Sequence, residues 1–378
     1  MLLECASLEC LSLEVKRQPP VRVAIVGCGQ IGSRWDAPTF TSQADTLPSI
    51  SSNTPASLTH AAAFTRHEGA EVVAFCDADR TRADEAATRW GVPAAHDDVV
   101  TMLRAVSVDL LVVATASAVR SSVVEAALAA GVKTLVIEKP LATTLAESRQ
   151  LVQRLEDASA QALVNYLRHW DVGMADLRER RRHGQFGVLQ RLLGLYSKGL
   201  SNNGSHLIDL AGLLCDAQPV RARALGSPLP ASEADWSAGA DPAIDSQVCL
   251  RMADGAELQL DLLATDAWAF SCFELRLIGT RAMAQVSQGG RRIEWTPIVA
   301  DPHFANYRIP GTPQIFPSGL LQAMDGMADE AVRLARAAMP GGHPFRPDCS
   351  ARDALRTAST VDAIRQSARD GGVWIPIA

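Results

Sequence analysis

Residues 21–26, Val-Arg-Val-Ala-Ile-Val, form a β-branched apolar run that stops directly at Gly27, with further glycines at 29 and 32. The run reads as a buried strand, and the glycines give the chain a tight turn and bare backbone just past the strand end. Strand and helix patterns then alternate. Strands are expected at 71–77, near 94, at 109–115, 132–137 and 161–166, with helical stretches at 81–90, 99–105, 121–130 and 141–157 between them. Such alternation predicts an α/β fold with a right-handed, doubly wound parallel sheet over 21–166.

After Arg168 the pattern changes. A helix at 172–183, a strand at 188–198 and a helix at 204–215 lead into longer strands. Residues 246–252 and 257–263 flank Ala253-Asp254-Gly255, and 274–278 and 283–287 flank Gly279-Thr280-Arg281, both hairpin signals. An α+β C-terminal domain with a largely antiparallel open sheet is expected over 167–378, closed by helices at 320–338 and 350–369 that pack back on the first domain. Residues 1–20 read as an N-terminal extension, and 37–57 as a Ser/Thr/Pro-rich insert.

A length of 378 residues suits two domains. A net charge of -6 gives no general attraction for nucleic acid or an anionic membrane. No apolar run approaches the roughly 20 residues of a bilayer span. The first twenty residues carry Glu4, Glu9 and Glu14 and do not resemble a secretory signal, so a cytoplasmic location is expected. The eight cysteines occur singly, without CxxC or zinc-like Cys/His spacing; reduced thiols and no metal site follow.

Gly27-Cys28-Gly29-Gln30-Ile31-Gly32 meets the needs of pyrophosphate binding: a tight turn at Gly27, close backbone approach at Gly29, helix-strand packing room at Gly32. Asp77, at the end of the second strand, can accept both adenosine ribose hydroxyls and repel a 2′-phosphate, which favours NAD. It can also serve simply as a cap or turn residue before Asp79. Arg80 and Arg82 are close enough to leave NADP open. The insert explains why Asp77 lies later than the usual 20 or so residues past the motif. It either covers the substrate from beside the cofactor or is a plain surface insertion. Thr115, Glu138 and Lys139, at the ends of later strands, complete the expected cofactor contacts.

The segment Thr134-Leu-Val-Ile-Glu-Lys-Pro140 places Lys139 at the carboxyl edge of the sheet, where open parallel sheets bind ligands. Downstream lies Ser201-Asn-Asn-Gly-Ser-His206-Leu-Ile-Asp209. Together with the glycine loop, Asp77 and Asn165-Tyr-Leu-Arg168, these motifs resemble the glucose-fructose oxidoreductase/inositol dehydrogenase/MocA family over residues 21 to about 370. The resemblance implies an NAD(P)-binding Rossmann domain and hydride transfer between nicotinamide and a hydroxyl-bearing carbon of a sugar, nucleotide sugar or cyclitol. It implies that Lys139 binds the substrate hydroxyl and the nicotinamide ribose, that His206 accepts the proton, and that Arg168, Asn202 and Asp209 line the substrate. A homo-oligomer, dimer or tetramer, is implied as well. The roles are chemically sound: alcohol oxidation needs a base near neutrality and a cation for the developing alkoxide.

One departure matters. The family usually has aspartate four residues before the histidine, and this chain has Asn202. Asn202 can orient His206 but not stabilise its charged form; Asp209 on a compatible helical face either compensates or is a structural hydrogen-bonder. The rival reading is a non-catalytic NAD- or sugar-sensing regulator of the same fold. Arg178–Arg182 suit a helix carboxyl end or a phosphate. Tyr196 and Lys198 end the strand entering the His206 region, with Lys198 a candidate for a sugar phosphate or carboxylate. Trp170 and Trp268 are candidates for stacking on a sugar, with core packing the plainer reading.

Overall fold

The computed structural model describes residues 18–36, 56–226, 241–265 and 271–377. Trp268, nearly all of the 37–57 insert and nearly all of the N-terminal extension lie outside them. The first sheet comprises β1 (Val21–Val26), β2 (Ala70–Cys76), β3 (Ala95–His96), β4 (Leu110–Val113), β5 (Thr134–Ile137) and β6 (Gln161–Val164). All pair in parallel, in the order β3-β2-β1-β4-β5-β6. The order reverses between β1 and β4, and a ligand crevice forms outside such a switch point. All residues of β4 and β5 are buried, as expected for a parallel sheet covered on both faces.

The helices of this half are α1 (His60–Arg66), α2 (Arg80–Trp90), α3 (Val99–Ala105), α4 (Ser117–Ala129) and α5 (Leu145–Asp157). Thr59, Asp79, Asp98 and Thr144 cap α1, α2, α3 and α5 through their side chains. The Thr144–Glu147 capping box fixes the start of α5 four residues later than its apolar pattern suggested. Conversely, α4 begins four residues early, because Ala116 at its start offers no capping side chain to read.

The second half contributes α6 (Val172–Arg182), β7 (Leu189–Tyr196), α7 (Ser205–Cys215), β8 (Ala217–Ala224), β9 (Ser246–Met252), β10 (Glu257–Ala264), β11 (Phe273–Gly279), β12 (Ala282–Ser287), β13 (Arg292–Ala300), β14 (Arg308–Pro310), β15 (Gln314–Pro317), α8 (Ala323–Ala338), α9 (Ala351–Arg369) and β16 (Ile375–Pro376). Its sheet runs β14-β13-β12-β11-β7-β10-β9-β8-β16, with β15 on β13. Pairing is antiparallel except between β7 and β10. Both expected hairpins are present. Strand β8 escapes a sequence reading because Pro219 and two arginines break its apolar pattern; the ladder absorbs the proline at a register shift between Pro219 and Arg221.

Three apolar cores result. One joins the second sheet to α6, α7 and α9. Helices α3, α4 and α5 cover one face of the first sheet. The other face receives α1 and α2, together with Met324, Met327, Ala331 and Val332 of α8, which return from the far end of the chain. The backbone just before α9 also closes the edge of β6, with Val164 N–H donating to Cys349 C=O at 2.9 Å. No described helix is long and apolar enough to cross a membrane.

Candidate active site

The glycine loop is shaped by contacts that exclude side chains. A Cβ on Gly27 (φ +98°) would lie 2.6 Å from the Ala114 carbonyl, and one on Gly32 would lie 1.9 Å from Gly27 O, whereas nothing lies within 4 Å of the Cβ position of Gly29. That open cradle is where a pyrophosphate approaches the backbone. The helix that such loops usually open is here a five-residue π-turn, Gln30–Arg34, because the chain soon leaves for the insert. The insert is closed at its root: Asp36 accepts hydrogen bonds from Leu58 N (3.1 Å) and Thr59 Oγ1 (2.5 Å). Asp77 Oδ2 accepts from Cys28 N (2.8 Å), bracing the loop, and Oδ1 accepts from Asp79 N (3.0 Å). Asp77 is thus a turn residue before Asp79, and it also braces the glycine loop. The Thr115 hydroxyl oxygen is buried without a partner among the described residues. The open backbone at Gly29 and the orphaned buried hydroxyl of Thr115 both fit a bound dinucleotide.

Lys139 emerges from β5 at the switch-point side. Its Nζ donates to Asn202 Oδ1 (2.8 Å) and to Asn202 O (3.3 Å). Asn202 is thus turned to the lysine, and its own N–H donates to Asp241 Oδ2 (2.9 Å). Burial lowers the Lys139 pKa below the usual lysine value; Glu138 opposes this, while Arg168 and Arg120 add to it. Glu138, buried beneath, accepts from Asn165 Nδ2 (2.6 Å) and pairs with His60 Nε2 (2.9 Å), both at Oε1. Burial would raise its pKa, but the His60 and Asn165 hydrogen bonds and the Lys139 charge hold it below the usual glutamate value. His60, with no exposed surface, is a residue the sequence reading missed. Its one signal was a histidine inside the alanine-rich start of α1. Arg120 ties the site's backbone, donating to the carbonyls of Pro140 and Thr115.

His206 lies one turn along from Asn202, edge-on to Tyr166 with ring centroids 5.3 Å apart. Its ring nitrogens have no hydrogen-bond partner among the described residues. Burial, with the charges of Lys139 and Arg168, keeps its pKa well below 6.5, so the ring is neutral and able to accept a proton. Arg168 faces inward: Nη2 donates to Gly289 O (3.1 Å) and the guanidinium lies 3.6 Å over the Phe273 ring. It is a buried fixed charge joining the two halves. Asp209 pairs with His169 Nε2 at 3.1 Å, not with His206, and the Cys349 thiol is close by. The remaining candidates are committed elsewhere. Trp170 Nε1 donates to Glu330 (2.6 Å), Tyr196 Oη bridges Ile244 N and O, and Arg178, Arg181 and Arg182 converge on Asp216. A cavity of about 680 Å³, lined in part by Pro140, Tyr166, Lys198, Asn202 and Ser205, opens beside the Lys139–Asn202 pair.

Residues 21–166 match the Gfo/Idh/MocA family model, described as an oxidoreductase family with an NAD-binding Rossmann fold. The D-apiose dehydrogenase of Paraburkholderia graminis is 34% identical over 129 residues, a stretch that spans 34% of this chain and 34% of that protein. Among solved structures, an inositol dehydrogenase homolog from Azotobacter vinelandii complexed with NADH and myo-inositol superposes with a TM-score of 0.70 at 18% identity, covering 95% of this chain and 98% of the other. An NAD-binding oxidoreductase from Klebsiella pneumoniae gives 0.69 at 16% identity, covering 95% and 99%. An oxidoreductase from Agrobacterium radiobacter in complex with NAD+, L-tartaric acid and magnesium gives 0.64 at 18% identity, covering 94% and 98%. At these identities the structural likeness is one of fold.

Proposed function

We propose that this chain, a member of the Gfo/Idh/MocA oxidoreductase family, transfers hydride between NAD and a hydroxyl-bearing carbon of a sugar, nucleotide sugar or cyclitol. The observation that carries this reading is Lys139, held at a rigid strand end by Asn202 above a buried Glu138. Gly27–Gly32, with Asp77 and Thr115 alongside, would hold NAD, which would supply the hydride acceptor. Lys139 donates to the substrate oxygen and stabilises negative charge as it develops there. His206, neutral and without another partner, takes the hydroxyl proton. Glu138, kept ionised by His60 and Asn165, supplies the counter-charge for Lys139. Burial and the charges of Lys139 and Arg168 keep His206 unprotonated before it accepts that proton.

The cofactor preference is proposed as NAD over NADP. Asp77 presents a carboxylate beside the loop, and Arg80 and Arg82, the residues able to receive a 2′-phosphate, are paired with Asp84 (2.9 Å) and Asp79 (3.3 Å). The homo-oligomer is proposed on the outward face of the second sheet, where Leu193, Leu195, Ile278 and Met283 alternate with the buried residues packed under α7 and α9.

The test is NADH formation from a panel of free sugars, sugar acids, sugar phosphates, nucleotide sugars and inositols, for wild type and Lys139→Ala. The lysine variant is expected to lose on the order of 100-fold or more in turnover while retaining cofactor affinity. Undiminished turnover in that variant would overturn the assignment. Tight NAD binding with no turnover of any panel member by wild type or by Asn202→Asp supports the sensor reading instead.

A further inference from the structure

The cavity beside Asn202 extends beyond the Lys139–Asn202 pair. Its volume of about 680 Å³ falls in the range that accommodates drug-sized ligands. It runs from Ser117 and Pro140, past Thr143 and Thr144 at the start of α5, to the face of α9 that carries Arg365 and Arg369. Asn202 belongs to its lining while also holding Lys139, so a ligand extending into it remains next to the reacting centre.

Part of its lining is charged: Lys198, Arg365 and Arg369 line it together with Asp241 and Asp362. Asp241 is already engaged: Oδ1 accepts from Arg365 Nη2 (2.7 Å) and Oδ2 from Asn202 N (2.9 Å). The same Arg365 nitrogen donates to Ser201 Oγ (2.8 Å), which fixes the guanidinium at the cavity edge. Lys198 and Arg369 have no carboxylate partner among the described residues, and they outnumber Asp362, the one acid of the wall in the same condition. Lys198 also adopts φ +63°, a left-handed conformation unusual for lysine, between the end of β7 and Gly199. Departures of this kind persist where the surroundings hold a residue in place, and they concentrate at binding sites.

We propose that this cavity receives an anionic group, a phosphate or a carboxylate, carried by the sugar substrate, and that Lys198, Arg365 and Arg369 bind it. Two unpaired cations beside a fixed guanidinium match an oxyanion, which accepts several charge-assisted hydrogen bonds at once. The sugar half of this statement rests on the dehydrogenase reading above; the anion half rests on the cavity wall alone.

The experiment is calorimetric titration of the full chain, saturated with NAD+, with glucose 1-phosphate, UDP-glucose and glucuronate, and with glucose and myo-inositol as neutral counterparts. At least one anionic probe is expected to bind about tenfold or more tightly than glucose, with the advantage reduced at high salt. Lys198→Gln and Arg369→Gln are each expected to weaken that probe about tenfold and to leave glucose binding unchanged. Arg369 is exposed, so its variant remains informative even where Lys198→Gln disturbs its backbone. Glucose binding as well as every anion, no detectable binding of any anionic probe, or anion affinity unchanged in both variants each overturns the proposal. Which anion wins separates a sugar phosphate from a nucleotide sugar or a sugar acid. NADH formation from neutral sugars alone ends this inference and keeps the dehydrogenase. Anion binding that depends on Lys198, without NADH from any substrate, keeps the subsite and ends the dehydrogenase reading.

Discussion

An ammonium group with no carboxylate in contact is costly to bury, and the side-chain partner of Lys139 Nζ is the neutral amide oxygen of Asn202. Asn202→Asp puts a carboxylate where Oδ1 now lies, 2.8 Å from Nζ. An opposite charge at that range raises a lysine pKa by about 1–3 units. The limb of the kcat/KM–pH profile that reports Lys139 is therefore expected to move upward by a similar amount; an unmoved profile would show that Lys139 does not titrate in catalysis. His60 acts one step further in. His60→Leu strips a donor from the buried Glu138 carboxylate and is expected to cost about 1–3 kcal/mol in urea unfolding, with His60→Gln recovering most of the loss. Equal loss in both variants would point to packing rather than the hydrogen bond. The glycine loop and Lys139 were legible in sequence because each depends on a strand end and its immediate neighbours. The contacts of Lys139 with Asn202 and of Glu138 with His60 were not, because they join segments 63 and 78 residues apart.

Among the elements, α6 and α7 end against each other. Of the two readings of the arginines at 178, 181 and 182, a helix carboxyl end or a phosphate site, the structure has the first: they lie towards the end of α6 and all three reach Asp216, the left-handed residue that stops α7. Burial works against the Asp216 carboxylate, but the arginines outweigh it and pull its pKa to about 2. With the folded value depressed, the carboxylate stabilises the fold above the ordinary aspartate pKa, and that contribution disappears as pH falls through about 2. Asp216→Asn keeps a residue that tolerates the left-handed backbone and removes the charge. It is expected to cost about 2 kcal/mol at pH 7 and about half that at pH 3, measured by urea unfolding across pH. A cost independent of pH would assign the loss to something other than charge. Elements with strong local signals, such as the capped helices and both hairpins, were readable in the chain. Strand β8 was not, since its pairing with β9 overrides a sequence that holds a proline and charges.

At the scale of the molecule, the two sheets are not independent bodies. Helix α8 leaves the second half and completes the core of the first sheet through Met324, Met327, Ala331 and Val332. Helix α9 packs on β8 of the second sheet and also on α5 and β6 of the first. The order of elements along the chain suggested that these last helices pack back across the domain boundary; their amphipathic pattern by itself showed only that each had a face to bury, because a helix face carries no address. Without α8, the face of the first sheet that includes Val21, Val23 and Ile25 loses part of its cover, so the cofactor-binding half depends on residues about three hundred positions later. Met327→Ala is accordingly expected to cost about 2–5 kcal/mol and to destabilise both halves together. The same coupling governs the response to cofactor. NAD+ at about 100 times its Kd adds about 2.7 kcal/mol to whatever unfolds with the binding site. Calorimetry is expected to show one transition, moved upward as a whole by NAD+ and downward as a whole by Met327→Ala. Two transitions, with only one responding to NAD+, would mean that α8 and α9 link the halves in space without making them a single cooperative unit.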